Sequence, residues 1–201
     1  MILAIDTSSA ISVSVVDAEG AAALAQRSVF APRGHAELLA TLIREAMQEA
    51  GARRETIRGV VVGTGPAPFT GLRVGLVSAR TLAMAWQVPV WGVCSLDALG
   101  AQYRQVLVVA DARRREVYWA RYRAGERVAG PLVSVPGDVE HEAGELVVGR
   151  GGALYADNFP GAVEADPDPL WLAREALRRH GLGDVLSTEP LYLRRPDVHQ
   201  K

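Results

Sequence analysis

The chain opens on two apolar segments of different period, and that contrast constrains its fold more than any other feature. Residues 2–5 (Ile-Leu-Ala-Ile) are apolar without a break, whereas 11–16 (Ile-Ser-Val-Ser-Val-Val) alternate with a period of two. A strand that is apolar at every position is a buried strand, and a period of two is the mark of a sheet. The polar link Asp6-Thr7-Ser8-Ser9 joins the two as a hairpin, and Asp17-Ala18-Glu19-Gly20 turns the chain into a third strand over about 21–30. An amphipathic helix is predicted next, over about 35–50. Leu38, Leu39, Leu42, Ile43, Ala46, Met47 and Ala50 share one half of its wheel, and Glu37, Thr41, Arg44, Glu45 and Gln48 the other. Gly51 stops it. A buried strand at 57–63, the loop 64–68, a second helix ending near Trp86 and a strand at 90–93 follow. Ser95 is the expected N-cap of a short helix to about Gln102.

The pattern then starts again. A strand over 106–110 ends in Asp111, an arginine-rich turn (Arg113-Arg114-Arg115) leads into 116–122, and a third strand covers 128–135. Beyond Pro136 the signal thins to a strand at 146–149, a helix at about 169–180 and an extended tail at 190–195. The expected fold is therefore α/β with two lobes, 1–104 and 105–201, each a mixed sheet flanked by helices, the second degenerate. Three antiparallel strands, a helix, a strand and a helix, given twice, is the pattern of the actin-like ATPase (ASKHA, ribonuclease-H-like) fold.

Charge narrows the functional classes. With 22 basic and 23 acidic residues the formal charge is −1, so nucleic-acid binding by overall basicity is not expected. Any nucleic-acid contact would be local or shared with a partner. A single cysteine, Cys94, excludes an internal disulfide framework and fits a reducing compartment. The first residues carry no basic leader and no apolar run approaches a membrane span, so the chain reads as cytoplasmic.

Six motifs in order carry a resemblance. They are Ile2-Leu3-Ala4-Ile5-Asp6-Thr7-Ser8, His35-Ala36-Glu37-Leu38-Leu39, Gly65-Pro66 with Phe69-Thr70-Gly71-Leu72-Arg73-Val74-Gly75, Ser95-Leu96-Asp97-Ala98-Leu99, Asp111-Ala112-Arg113 with Glu116-Val117-Tyr118, and Tyr192-Leu193-Arg194. In order and spacing they resemble the TsaB (also called YeaZ) family, most closely across 1–122. The resemblance implies a part in making threonylcarbamoyladenosine beside the anticodon of tRNA. It implies a paralogue of TsaD, the subunit with the transferase site, paired with TsaD through the first lobe and joined by the small ATPase TsaE. The chain departs from the family at Ala67-Pro68, where Gly-Ser is usual. Proline suits the first helical position, but Ala67 resists a positive φ that glycine accepts, so a differently shaped turn is expected.

Candidate catalytic groups are few. TsaD-type subunits hold a metal with two histidines in a stretch reading His-Leu-Glu-Gly-His. The matching positions here are Ser95 and Leu99, which cannot share a metal, and none of His35, His141, His180 and His199 forms an i,i+4 pair. No metal site and no cofactor is expected on this chain alone. Asp6-Thr7-Ser8 is either a retained phosphate loop or a hairpin turn in which Asp6 and Ser8 satisfy local amides. The second is preferred, because the opposing loop reads Asp111-Ala112-Arg113 where small residues would let a phosphate approach. The alternative function, a free-standing ATP-dependent enzyme of small-kinase type, would use Asp6 and Asp111. Gly149-Arg150-Gly151-Gly152 is read as a plain turn and Cys94 as a small hydrophobe.

The helix over 69–86 is apolar nearly all round and needs cover on more than one side. Gly71, Gly75, Ala79 and Ala83 form a ridge of small residues along it, which meets either the chain's own first helix or sheet or, as preferred, a partner. The expected partner surface comprises this ridge with Arg73 and Arg80, and Leu39, Leu42, Ile43 and Ala46 of the first helix. These two helices would bundle with their equivalents in TsaD, or with a second copy in isolation. Arg113 and Arg114 are the candidate contacts to tRNA phosphate, made through the complex.

Overall fold

A computed structural model describes residues 1–31, 35–142 and 144–194. The first sheet contains β1 (Ile2–Asp6), β2 (Ile11–Val16) and β3 (Ala23–Val29), an antiparallel meander. Then come α1 (His35–Glu49), β4 (Gly59–Gly63), α2 (Phe69–Trp86), β5 (Val90–Val93) and the short α3 (Ser95–Gly100). β4 runs parallel to β1 and β5 parallel to β4, which completes the order β3-β2-β1-β4-β5. This is the actin-like, ribonuclease-H-like sheet.

Both faces of β1 are covered, which is why its residues are apolar in succession. Leu3 and Ile5 join Ile11, Val13, Val15, Val60 and Val62 beneath α1 and α2. Ile2 and Ala4 point the other way, with Val16 and Val61, beneath Leu172, Ala173 and Ala176. Burying a leucine or isoleucine contributes roughly 1.5–3 kcal/mol, so this doubly covered strand anchors the molecule.

The second sheet contains β6 (Gln105–Asp111), β7 (Val117–Arg123), β8 (Glu126–Ser134) and β9 (Val147–Val148), in the order β8-β7-β6-β9. It repeats the antiparallel meander and one parallel strand of the first lobe. Its counterpart of β4 is two residues long and is followed by α4 (Arg150–Leu154), five residues. That is the physical form of the degeneracy.

The division at 104 does not describe the chain's C-terminal part. The last helix, α5 (Pro169–Gly181), packs on the first sheet and supplies the cover that β1 needs on its second face. Asp168 caps it, accepting from the Leu170 amide at 2.9 Å, and Arg174 ties it to the β2–β3 turn through the Gly20 and Ala21 carbonyls. The tail then runs along β5 and α2. The Gly92 amide donates to Leu186, the Leu191 amide donates to Thr64, and Arg80 donates to Thr188 and Glu189.

Between the sheets, α3 sends Ala98 to the first core and Leu96 and Leu99 to the second. Its buried Asp97 accepts a 2.6 Å hydrogen bond from Tyr122 of β7, with Arg127 and Arg179 at 3.5 and 3.7 Å. Burial raises the Asp97 pKa, opposed by those two arginines and by the tyrosine bond. This polar knot joins the two lobes.

Candidate functional site

Two hairpin turns face each other across a cleft of about 850 Å³. Thr7, Ser8 and Ser9 come from the β1–β2 turn, Thr70 and Gly71 from the start of α2, Asp111 and Arg113 from the β6–β7 turn, and Arg150 from α4. The fold thus brings Thr7-Ser8 and Asp111, 100 or more residues apart in the chain, to one cleft.

Asp6 does not line it. The residue is 1% exposed, and its Oδ1 accepts from the Ser8 amide at 2.8 Å and the Ser8 hydroxyl at 2.6 Å. Its Oδ2 accepts from Ser95 at 2.6 Å. Desolvation raises its pKa, against the hydrogen bonds from Ser8 and Ser95. Such an aspartate is a structural bolt between β1, its own turn and α3. Ser95 is consequently not the N-cap expected of it. Its hydroxyl reaches Asp6 and accepts from the Gly65 amide at 3.2 Å, while Cys94 holds the cap position without a side-chain bond. Burial pushes the Cys94 thiol up to about 12.

Thr7 is also buried and donates to the Gly71 carbonyl at 2.9 Å. A Cβ at Gly75 would overlap Thr7 Oγ1. This corrects the predicted partner surface. Gly75, Ala79 and Ala83 face the chain's own β1–β2 turn and sheet, and Leu39, Leu42, Ile43 and Ala46 are likewise inside the first core. The ridge of small residues exists to bring α2 close to its own sheet. What α2 leaves outside is the opposite stripe: Arg73, Val77 (61% exposed), Arg80, Thr81 and Met84 (77% exposed), at helical spacing.

On the other wall, Asp111 Oδ1 accepts from the Arg113 amide at 2.8 Å and Asp111 pairs with the Arg113 guanidinium at 3.1 Å. Arg113, Arg114 and Arg115 have φ of 62°, 55° and 62°. The Glu116 amide donates to the Arg113 carbonyl, so Arg114 and Arg115 sit at the two central positions of a tight turn where Asn or Gly normally takes positive φ. Each such residue costs roughly 1–2 kcal/mol. Arg115→Gly is therefore expected to stabilise the chain by about 1 kcal/mol, read as a higher urea midpoint at unchanged m-value.

The segment Gly149-Arg150-Gly151-Gly152 is not a plain turn. Gly149 (φ 121°) opens α4, and Cβ atoms at Gly149 or Gly151 would collide with the β6 backbone. Arg150 lies over the Phe30 ring at 4.0 Å and forks onto Asp166 at 2.7 and 2.9 Å. Although burial opposes it, the bonds from Arg150 and Ser9 hold Asp166 below the usual carboxylate range. Among the described residues no group of three His, Cys, Asp or Glu side chains could hold a metal ion.

At Ala67-Pro68, Ala67 does not take a positive φ. The left-handed residue of that loop is Gly65 (φ 84°), and Pro68 is the cap before Phe69. Phe69 itself stacks on Tyr192 of the tail, ring centroids 5.3 Å apart, with Arg73 over Phe69 at 3.6 Å and donating to the Tyr192 hydroxyl at 2.9 Å. Sequence reasoning marked both motifs yet could not pair them, since they lie more than 100 positions apart. Arg194 donates to the Ala112 carbonyl and pairs with Glu116, and Arg195 and His199 fall outside the described residues.

Comparisons with known proteins agree with one another. Residues 29–147 match the family described as TsaD, tRNA N6-adenosine threonylcarbamoyltransferase. An uncharacterized protein of Mycobacterium tuberculosis H37Rv is 41% identical over 201 residues, 98% of this chain and 93% of that one. The tRNA threonylcarbamoyladenosine biosynthesis protein TsaB of Escherichia coli K12 is 34% identical over 101 residues, 47% of this chain and 44% of that one. Among solved structures, YeaZ from Pseudomonas aeruginosa superposes with a TM-score of 0.81 at 28% identity, covering 96% of this chain and 99% of that one.

Proposed function

Because the chain belongs to the TsaB (YeaZ) family, a paralogue of TsaD, we propose that it serves threonylcarbamoyladenosine biosynthesis as a non-catalytic scaffold subunit, pairing with TsaD and activating it. TsaE joins the pair, tRNA is met only through the assembly, and the complex works in the cytoplasm. No helix among the described residues is long and apolar enough to cross a membrane.

The observation that carries this reading is the outward stripe of α2. Val77 and Met84 lie two turns apart on one face, flanked by Arg73 and Arg80, which the tail already holds in place through Tyr192, Thr188 and Glu189. Scattered exposed apolar residues are ordinary. Two large ones on one helical stripe, rimmed by immobilised arginines, form an apolar centre with a polar edge, the anatomy of a helix-packing interface. The same face would close on a second copy when the partner is missing.

Asp6 speaks against the free-standing ATP-dependent enzyme, although Asp111 does line the cleft opposite Thr7 and Ser8. Asp6 has both oxygens committed and is walled off by Gly63, where even a Cβ would overlap its carboxylate.

The test is the double variant Val77→Glu, Met84→Glu, co-expressed with TsaD. Both side chains are solvent-facing, so chain stability should stay within about 0.5 kcal/mol of the parent. Recovery of TsaD should fall tenfold or more, since two carboxylates would be buried at the centre of the contact. Full recovery of TsaD by the folded double variant would overturn the proposal.

A further inference from the structure

Beside the main cleft lies a smaller slot of about 360 Å³, built by the two α2-proximal motifs and the β6–β7 turn. Ala67 and Ala112 contribute small residues, Phe69 and Tyr192 aromatic ones, and Arg113 and Arg114 cationic ones. Its volume falls in the range of small-molecule sites, roughly 300–1,000 Å³. Phe69 and Tyr192 are held as a stacked pair, with the Arg73 guanidinium over the Phe69 ring at 3.6 Å, yet each keeps 38% of its surface exposed. A pair of rings fixed in this way and left open is a prepared stacking surface, because its ordering cost is already met before any ligand arrives.

The turn that supplies the arginines points the same way. Three successive non-glycine residues take positive φ there, and neither a glycine nor an asparagine occupies the positions that would favour such a turn. A further arginine, Arg194, stands at the same rim, and its charge is disfavoured first by burial and then by the charge of Arg114. Asp111 and Glu116 offset part of that crowding, pairing Arg113 and Arg194.

Aromatic faces beside clustered guanidinium groups match one ligand chemistry best, a planar base carrying a phosphate. We propose that this slot takes an unstacked base of a single-stranded RNA segment against Phe69 and Tyr192, with its flanking phosphates on Arg113 and Arg114. The choice of an RNA strand over a free nucleotide rests on the function proposed above. The near-zero net charge of the whole chain is no obstacle, since stacking and a local pair of arginines do not require a basic protein.

The experiment uses the full-length chain assembled with TsaD and a fluorescein-labelled single-stranded oligoribonucleotide, read by anisotropy across a salt series. Tyr192→Ala is expected to weaken binding roughly tenfold or more, the usual loss for one stacked base, and Tyr192→Phe to keep most of it because the ring survives. Arg113→Ala with Arg114→Ala should lower the slope of log affinity against log salt by about 0.7 for each phosphate released. Co-purification of each variant with TsaD separates this proposal from the scaffold reading, which it leaves untouched. Three results would overturn the slot: Tyr192→Ala binding like the parent, AMP binding as tightly as the oligonucleotide, or polyglutamate displacing the RNA at equal charge. The last would mean a plain anion patch.

Discussion

Gly75→Leu is expected to cost the isolated chain at least about 3 kcal/mol, at the upper end for overpacking a closed core. The reason lies in one contact. A β-carbon at this position overlaps Thr7 Oγ1, and leucine adds further carbons behind it. Thr7 is buried and its hydroxyl is committed to the Gly71 carbonyl at 2.9 Å, so it cannot turn aside without breaking that bond. Either α2 lifts from the sheet, exposing Leu72, Leu76 and Ala79, or the β1–β2 turn deforms. The measurement is urea denaturation of the chain without any partner. A variant that unfolds at the parent midpoint would mean that Gly75 faces outward, and the interface would have to be redrawn around the ridge of small residues. The paired Val77 and Met84 substitutions behave in the opposite way, sparing stability and losing the partner. Together the two experiments assign the faces of α2.

The second large effect is expected at Asp6. Asp6→Ala leaves the Ser8 amide, the Ser8 hydroxyl and the Ser95 hydroxyl without their acceptor inside the molecule, and should cost about 3 kcal/mol or more. Asp6→Asn keeps the shape but offers one acceptor oxygen in place of two. Its comparison with the parent carries a pH signature. Burial holds the folded-state pKa above the ordinary value of roughly 3.9. The folded state therefore binds the proton more tightly than the unfolded one. The associated stability is fully present below the ordinary value and is lost as pH rises through the raised one. The parent's advantage over Asp6→Asn should be greatest at acidic pH and shrink towards neutrality. A phosphate-loop aspartate open to the cleft would show no such trend, so a flat difference across the pH series would remove the bolt reading.

Much of the architecture was legible along the chain. The uninterrupted run at 2–5 required two covers, the alternation at 11–16 required a sheet, and the repeated strand-hairpin order yielded two lobes, of which the second is the poorer. The local reading of Asp6-Thr7-Ser8 rested on the habit of short polar side chains to bond nearby amides; Asp6 does so with the Ser8 amide, while the Ser8 hydroxyl donates to the Asp6 carboxylate instead. Ser95 escaped because a serine before a short helix signals a cap, while its actual partner lies 89 positions away. The Phe69–Tyr192 pair escaped for the same reason, at still greater separation. Arg113-Arg114-Arg115 was recognised as a turn from its place between two strands, although its residues lack the asparagine or glycine that a tight hairpin favours.

By itself, the sequence determined which faces are apolar, the strands and their order, and four of the five helices, α4 being the one it read as a turn. Those properties depend on periods of two and 3.6 and on contacts between near neighbours. Only the tertiary structure decided what covers each face. It turned the small-residue ridge of α2 inward onto Thr7 and left Val77 and Met84 outside. It sent α5 back across the chain to the far side of β1. The physical reason is that burial is non-directional. An apolar stripe is satisfied equally by the chain's own sheet or by another molecule, and the choice is made by the shape of the whole.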